Sequence, residues 1–278
     1  MTRRSGALSR RDVLGAAGMI ALGMTSRTPE AGTAPARAPQ PVDPGSIKAL
    51  VFDVFGTVVD WRTSVAREVT AVATAKGATV DGAAFADAWR AQYAPSMNRV
   101  RTGELPWTRL DALHRAVLDR ILPDFGLGGL SDGERAALNR AWHRLDPWPD
   151  VVAGLTRLKR RFIIAPLSNG NVALMTNLAK YGGLPWDCVL GAELVRRYKP
   201  DREVYQSAAD FLDLRPAEVM MVAAHLGDLR AARAVGLRTA FVVRPREFGP
   251  GRAPDLQPDA SVDVAADDFE DLAGRLGA

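Results

Sequence analysis

The hydrophobic pattern divides this chain into regions of different character. Ala49 to Phe52 is a four-residue apolar run, closed soon after by Gly56-Thr57. Short apolar runs bounded by turn signals read as strands buried on both faces, the kind found in parallel sheets. From residue 64 to 145 the spacing becomes helical, with turn signals at Lys76-Gly77, Arg101-Thr102-Gly103, Leu122-Pro123 and Gly128-Gly129. It predicts four helices, over roughly 64–76, 83–100, 107–121 and 131–144, the first capped by Thr63 or Ser64. Beyond Pro147 helix and strand alternate. The pattern gives a helix over 150–160, a strand from Phe162 to Leu167 and a helix over 171–181. A short strand at Val189-Leu190 follows, then a strand from Val219 to Val222 and a helix leading to Val235. A strand from Thr239 to Val243 and a closing helix from Asp267 to Leu276 complete the set. Such alternation predicts an α/β fold, a doubly wound, mostly parallel sheet with helices on both faces. The helical stretch after the first strand then reads as an inserted helical cap, which closes over a site and excludes water. The expected division is 47–62 with 146–278 as the core domain and 63–145 as the cap. Pro166 cannot donate to a ladder, so its place in a central strand predicts a bulge or kink near the strand's end.

Composition changes this picture only at the N-terminus. Hydrophobic residues at 47% and charged residues at 24% of 278 are ordinary for a globular protein. The formal charge of +4 looks basic, but residues 1–37 hold six Arg, no Lys and two acids, which accounts for all of it. The other 241 residues carry 30 basic and 30 acidic groups. A nucleic-acid surface needs an excess of base in the folded part, so that class is set aside. Ser9-Arg10-Arg11-Asp12-Val13-Leu14 resembles a twin-arginine export signal, followed by a weakly apolar stretch from Leu14 to Met24 that is too short to span a bilayer. Ala34-Pro35-Ala36 or Ala36-Arg37-Ala38 supplies a small-residue cleavage site, and 38–46 lies in a Pro- and Ala-rich linker. The expectation is therefore a signal peptide over 1–37, a periplasmic or extracellular destination and no stable membrane anchor after processing. The single cysteine, Cys188, forms no internal disulfide and reads as a small buried residue.

Candidate chemistry gathers at strand ends, where open α/β sheets bind ligands. Asp53 follows the first strand, and a carboxylate there is costly to bury unless it acts; it is read as the catalytic nucleophile. Ser168 ends the next long strand, and its hydroxyl with neighbouring N–H groups suits an anion at a helix N-terminus. No Cys/His cluster suggests zinc, and neither a P-loop nor a dinucleotide fingerprint is present.

Phe52-Asp53-Val54-Phe55-Gly56-Thr57 resembles the first motif of the haloacid dehalogenase superfamily. Ser168-Asn169, Lys199-Pro200 with Tyr205, and His225-Leu226-Gly227-Asp228 stand where its later motifs fall. Phosphatases of that superfamily usually carry a second Asp two residues after the nucleophile, to protonate the leaving alcohol. Here that position is Phe55, as in the L-2-haloacid dehalogenase branch; a halide leaves as a stable anion and needs no proton. The resemblance implies Asp53, Lys199 and Asp228 as catalytic, with Lys199 keeping Asp53 ionised and Asp228 linked to the hydrolytic step. It implies Val54, Phe55, Thr57, Arg90, Ser168, Asn169, Tyr205 and His225 as substrate-contacting. Arg90, in Ala88-Trp89-Arg90-Ala91-Gln92-Tyr93, takes the departing halide, while Trp89, Tyr93, Trp107 and Trp142 read as cap core. Two positions depart from the best-known dehalogenases, which carry serine and asparagine where Ala223 and His225 stand. The implied activity is hydrolytic dehalogenation of a small 2-haloacid with no metal or cofactor, and a homodimer is left open. A Mg²⁺-dependent phosphatase using Asp53 and Asp228 as ligands, and an exported binding protein with a weakened site, are the alternatives.

Overall fold

A computed structural model describes residues 43–250 and 255–278. The twin-arginine-like segment and the linker up to residue 42 lie outside the described residues.

The sheet has six parallel strands in the order β5-β4-β1-β6-β7-β8. They are β1 (Ala49–Phe52), β4 (Ile163–Ser168), β5 (Leu190–Gly191), β6 (Val219–Ala223), β7 (Arg238–Val242) and β8 (Val264–Ala266). The other two strands, β2 (Val59–Asp60) and β3 (Asp146–Pro147), form a separate antiparallel ribbon. Alternation sorts β1 onto both faces: Leu50 and Phe52 join one apolar cluster, Ala49 and Val51 the other. β1 is central, pairing with β4 on one side and β6 on the other. The chain runs outward from β1 to β5 and then returns to β6 on the opposite side. That reversal opens a crevice at the carboxyl ends, where Asp53, Asn169 and His225 emerge.

Between β2 and β3 the chain is helical: α1 (Trp61–Ala75), α2 (Gly82–Ala91), α3 (Tyr93–Arg101), α4 (Leu110–Ile121) and α5 (Asp132–Asn139). After β3 come α6 (Val151–Lys159), α7 (Val172–Gly182), α8 (Ala192–Val195), α9 (Arg202–Phe211), α10 (Leu226–Ala234) and α11 (Phe269–Arg275). The β2–β3 ribbon ties the point where the helical stretch leaves the sheet to the point where it returns. The apolar core is continuous from Leu50 and Phe52 in the sheet to Trp61, Phe85, Trp89 and Trp142 among the helices.

Several expectations need correction. The predicted helix 83–100 is two helices, because the chain turns at Gln92, whose N–H bonds the carbonyls of Trp89 and Arg90. The first cap is Asp60, not Thr63 or Ser64; its carboxylate accepts from the Thr63 N–H, so the helix starts at Trp61. Pro166 needs no bulge. The Ile163 N–H points to Lys48 and the Ile164 N–H to the side chain of Asp187 on the other side, so even-numbered positions face β5. β5 pairs only with Leu167 and Ser168, and the missing donor of Pro166 therefore faces a stretch not yet paired. β8 and α9 were not anticipated, and Cys188 is only half-buried.

One buried ion pair fastens the loop after β1 to the core. Arg244 makes two 2.8 Å bonds to the Asp150 carboxylate, and its Nε donates to the Thr57 carbonyl at 2.8 Å. Asp150 also accepts from the Phe269 N–H. Removing one partner strands the other in a dry site. Arg244→Met should lower the unfolding free energy by about 3–5 kcal/mol, checked by urea titration against wild type.

Candidate active site

Asp53 leaves the end of β1 as the backbone turns at Gly56, which has φ +90°, a region suited to glycine. The turn aims the Thr57 hydroxyl back, and it donates to Asp53 Oδ2 at 2.8 Å while accepting from the Ala224 N–H at 3.0 Å. Lys199 follows α8, and its Nζ lies 3.5 Å from Asp53 Oδ1 and 2.7 Å from Asp228 Oδ2. Asp228 sits in the first turn of α10, where the dipole favours a negative charge. Its other oxygen accepts from the hydroxyl of Tyr205, on α9. Asn169, after β4, accepts from the Lys199 backbone N–H at 2.8 Å and so fixes the lysine's loop.

His225 precedes α10. Its Nδ1 is 3.1 Å from Asp53 Oδ2, and its Nε2 is 2.9 Å and 3.1 Å from the two oxygens of Glu247. The Glu247 side chain is 0% exposed and also accepts from the Trp61 indole N–H at 3.2 Å. A Cβ on Gly56 would lie 2.1 Å from Glu247 Oε1, so this glycine also makes room for the glutamate.

The charges are arranged in opposition. Burial pushes the Asp53 carboxyl up, but the Lys199 ammonium and His225 outweigh it and hold it well below the usual carboxylate range. Burial pushes Asp228 up, against the pull of Lys199 and with the charge of Asp53 adding to the rise. Burial and the neighbouring Asp228 raise Tyr205, which stays a phenol and donates. For His225 burial favours the neutral ring, yet the bonds to Asp53 and Glu247 prevail and lift it to about 10.

A cavity of 310 Å³ opens among Asp53, Phe55, Arg90, Tyr93, Met97, Asn169, Lys199, Pro200, Tyr205, His225, Gly227 and Asp228. Eight of the residues singled out in the sequence therefore share one space: Asp53, Phe55, Arg90, Asn169, Lys199, Tyr205, His225 and Asp228. Thr57 stands one hydrogen bond behind it. Val54 and Ser168 do not line it. Val54 is buried with its carbonyl accepting from the Val58 and Val59 N–H groups, and the Ser168 hydroxyl turns back to accept from the Gly170 N–H at 3.1 Å. Tyr93, read as cap core, is a wall of the cavity, and the Arg90 guanidinium stacks on its ring at 4.0 Å. Among the described residues no carboxylate pairs with Arg90. Trp89 and Trp142 are core as expected, and Phe55 packs edge-on against Tyr93 and Trp142. His114 stacks on Trp142 with neither ring nitrogen partnered, and burial drives it down to about 3.

Glu247 was not found from the sequence. It follows β7, 22 residues from His225 and 186 from Trp61, and no motif spacing marks it. An acid in a loop close after the last clear strand was the one signal available.

A buried aspartate at a strand end, an ammonium between it and a second aspartate, and a guanidinium across the cavity with no carboxylate partner among the described residues have the make-up of a hydrolase site. The haloacid dehalogenase-like hydrolase model matches residues 47–236, and the chain belongs to that family. It is 33% identical over 216 residues to (S)-2-haloacid dehalogenase 1 of Pseudomonas sp. (strain CBS-3), covering 73% of this chain and 88% of that protein. A solved defluorinating L-2-haloacid dehalogenase is similar at 49% identity and a TM-score of 0.81, covering 84% of this chain and 96% of that one. A second L-2-haloacid dehalogenase structure gives 47% identity and a TM-score of 0.78, with 83% and 99% covered.

The charge on His225 has a consequence for stability. Its folded pKa of about 10 lies above the ordinary 6.5, so the stabilisation it contributes is complete below pH 6.5 and is lost as pH rises through about 10. The melting-temperature difference between wild type and His225→Gln should shrink as pH is raised across that window. A difference that stays level would mean His225 is not held charged.

Proposed function

We propose that this protein hydrolyses short 2-haloacids to 2-hydroxy acids, with Asp53 as the nucleophile of an aspartyl ester route. The observation that carries the reading is the free oxygen of Asp53. Oδ2 is committed to two donors, whereas Oδ1 has only Lys199 at 3.5 Å. An ionised oxygen with an open lone pair beside a cavity is suited to displacement at carbon, and the ester splits one hard step into two. Arg90, stacked on Tyr93 and without a carboxylate partner among the described residues, is placed to receive a weakly hydrated halide. Phe55 supports the same reading, since an aromatic ring stands where a phosphatase needs its acid. Water then attacks the ester carbonyl, with Asp228, held by Lys199 and Tyr205, taking its proton.

The proposed route calls for no metal, because a halide leaves as a stable anion. Incubation with (S)-2-chloropropionate in EDTA should release chloride at the rate seen without chelator. Turnover only of phosphate esters, and only with Mg²⁺, would replace this reading with the phosphatase; neither activity in a folded protein would favour a binding role. Asp53→Asn should abolish chloride release while leaving the melting temperature near wild type, because Lys199 keeps Asp228 and His225 keeps Glu247.

We also propose export by the twin-arginine route, supported by Ser9-Arg10-Arg11-Asp12-Val13-Leu14. Residues 1–45 fused to a folded fluorescent reporter should carry it to the periplasm, and an Arg10→Lys, Arg11→Lys pair should retain it in the cytoplasm. Unchanged export by the paired variant would remove the twin-arginine assignment.

A further inference from the structure

His225 is gripped at both ends by carboxylates, with Asp53 Oδ2 at Nδ1 and both oxygens of Glu247 at Nε2. An ionised carboxylate only accepts hydrogen bonds, so each ring nitrogen must present a proton. Trp61 donates to the same Glu247 carboxylate, so Glu247 acts there too as an acceptor. Such a ring has no lone pair with which to accept a proton from water. It is an electrophile placed beside the reacting carboxylate.

We propose that His225 is a catalytic residue in its imidazolium form. Its Nδ1–H and the Thr57 hydroxyl are the oxyanion hole for hydrolysis of the Asp53 ester, and Glu247 is the positioning residue that keeps the ring protonated and aimed. This rests on the ester route of the preceding section. In the first step the lone pair of Oδ1 forms the bond to C2, and the halide leaves with the electrons of the carbon–halogen bond. Oδ2 becomes the ester carbonyl. Water then adds to Cγ, one of its protons passes to Asp228, and the carbonyl electron pair moves onto Oδ2. That oxygen already has donors at 2.8 Å and 3.1 Å, where charge develops. On collapse the carbonyl re-forms, the Cγ–Oδ1 bond breaks, and the departing alkoxide recovers the proton held by Asp228. The carboxylic acid left on Asp53 gives its remaining water-derived proton to solvent.

Glu247 has a definite part in this sequence. Esterification removes the charge of Asp53, one of the two anions that hold the proton on His225. Glu247 is fully buried and does not react, so it keeps the ring cationic at the moment the oxyanion forms. Lys199, Asp228 and Arg90 are the other charged groups around the cavity, and none of them bonds to His225. The positive charge raised against Oδ2 offsets the loss of a hydrogen-bonding side chain at Ala223, which is buried at the end of β6.

Two measurements on the whole protein test this. In ¹⁵N spectra of the imidazole, both His225 nitrogens should be protonated near neutral pH; a neutral tautomer overturns the proposal without reference to turnover. In rapid-quench single turnovers with (S)-2-chloropropionate, His225→Ala should keep the chloride burst and slow ester hydrolysis about a hundredfold. The ester should then accumulate on the peptide containing Asp53, detected by mass. Glu247→Gln should move the alkaline fall of the hydrolytic step to lower pH by more than about one unit. If that variant does not fold, the spectrum and His225→Ala decide the matter. Hydrolysis that accelerates with pH along a titration lost in His225→Ala would make the ring a base, and equal slowing of both steps would make it structural; each outcome sinks the proposal. Absence of halide release from wild type would instead overturn the dehalogenase reading beneath it.

Discussion

A carboxylate can be kept ionised in a dry cleft only if fixed cations face it, and this site is built around that requirement. Asp53, Asp228 and Glu247 are withdrawn from water together, and Lys199 and His225 stand between them. Lys199 joins Asp53 to Asp228, and His225 joins Asp53 to Glu247. Asp53 is the one carboxylate shared by both cations, and it is held well below its ordinary range. Pairing in a low dielectric offsets the desolvation that would otherwise protonate it. Asp53 is therefore ionised before any substrate arrives, as the proposed nucleophile must be.

The helices between β2 and β3 complete the arrangement from above. Phe55 lies where an acid would serve a phosphatase, and it is also the contact on which Tyr93 and Trp142 close. One aromatic ring thus removes a proton donor and joins the nucleophile loop to the helical layer. Arg90 reaches the same space by lying flat on Tyr93, which keeps its guanidinium in place without an acidic partner.

Much of this was legible in the sequence, for a local reason. β1 is a continuous apolar run, and Asp53 directly follows it. Asn169, Lys199, Tyr205, His225 and Asp228 stand at or just beyond the elements that carry them to one edge of the sheet. Motif residues tied to strand ends can be placed once the strands are placed. The less legible features were those set by distant contacts. Tyr93 became a cavity wall because the chain turns at Gln92. Ser168 fell out of the lining because its hydroxyl found the nearer Gly170 N–H.

By itself the sequence determined the class of fold, the position of a carboxylate at the end of β1 and the absence of an acid at Phe55, because apolar runs, turn residues and strand-end spacing are local properties of a chain. Only the tertiary structure decided how the charges balance. Glu247 meets His225 and Trp61 from the loop after β7, and Gly56 lacks the side chain that would exclude it. Whether a buried group is charged depends on what faces it across space, and that information is not carried by separation along the chain.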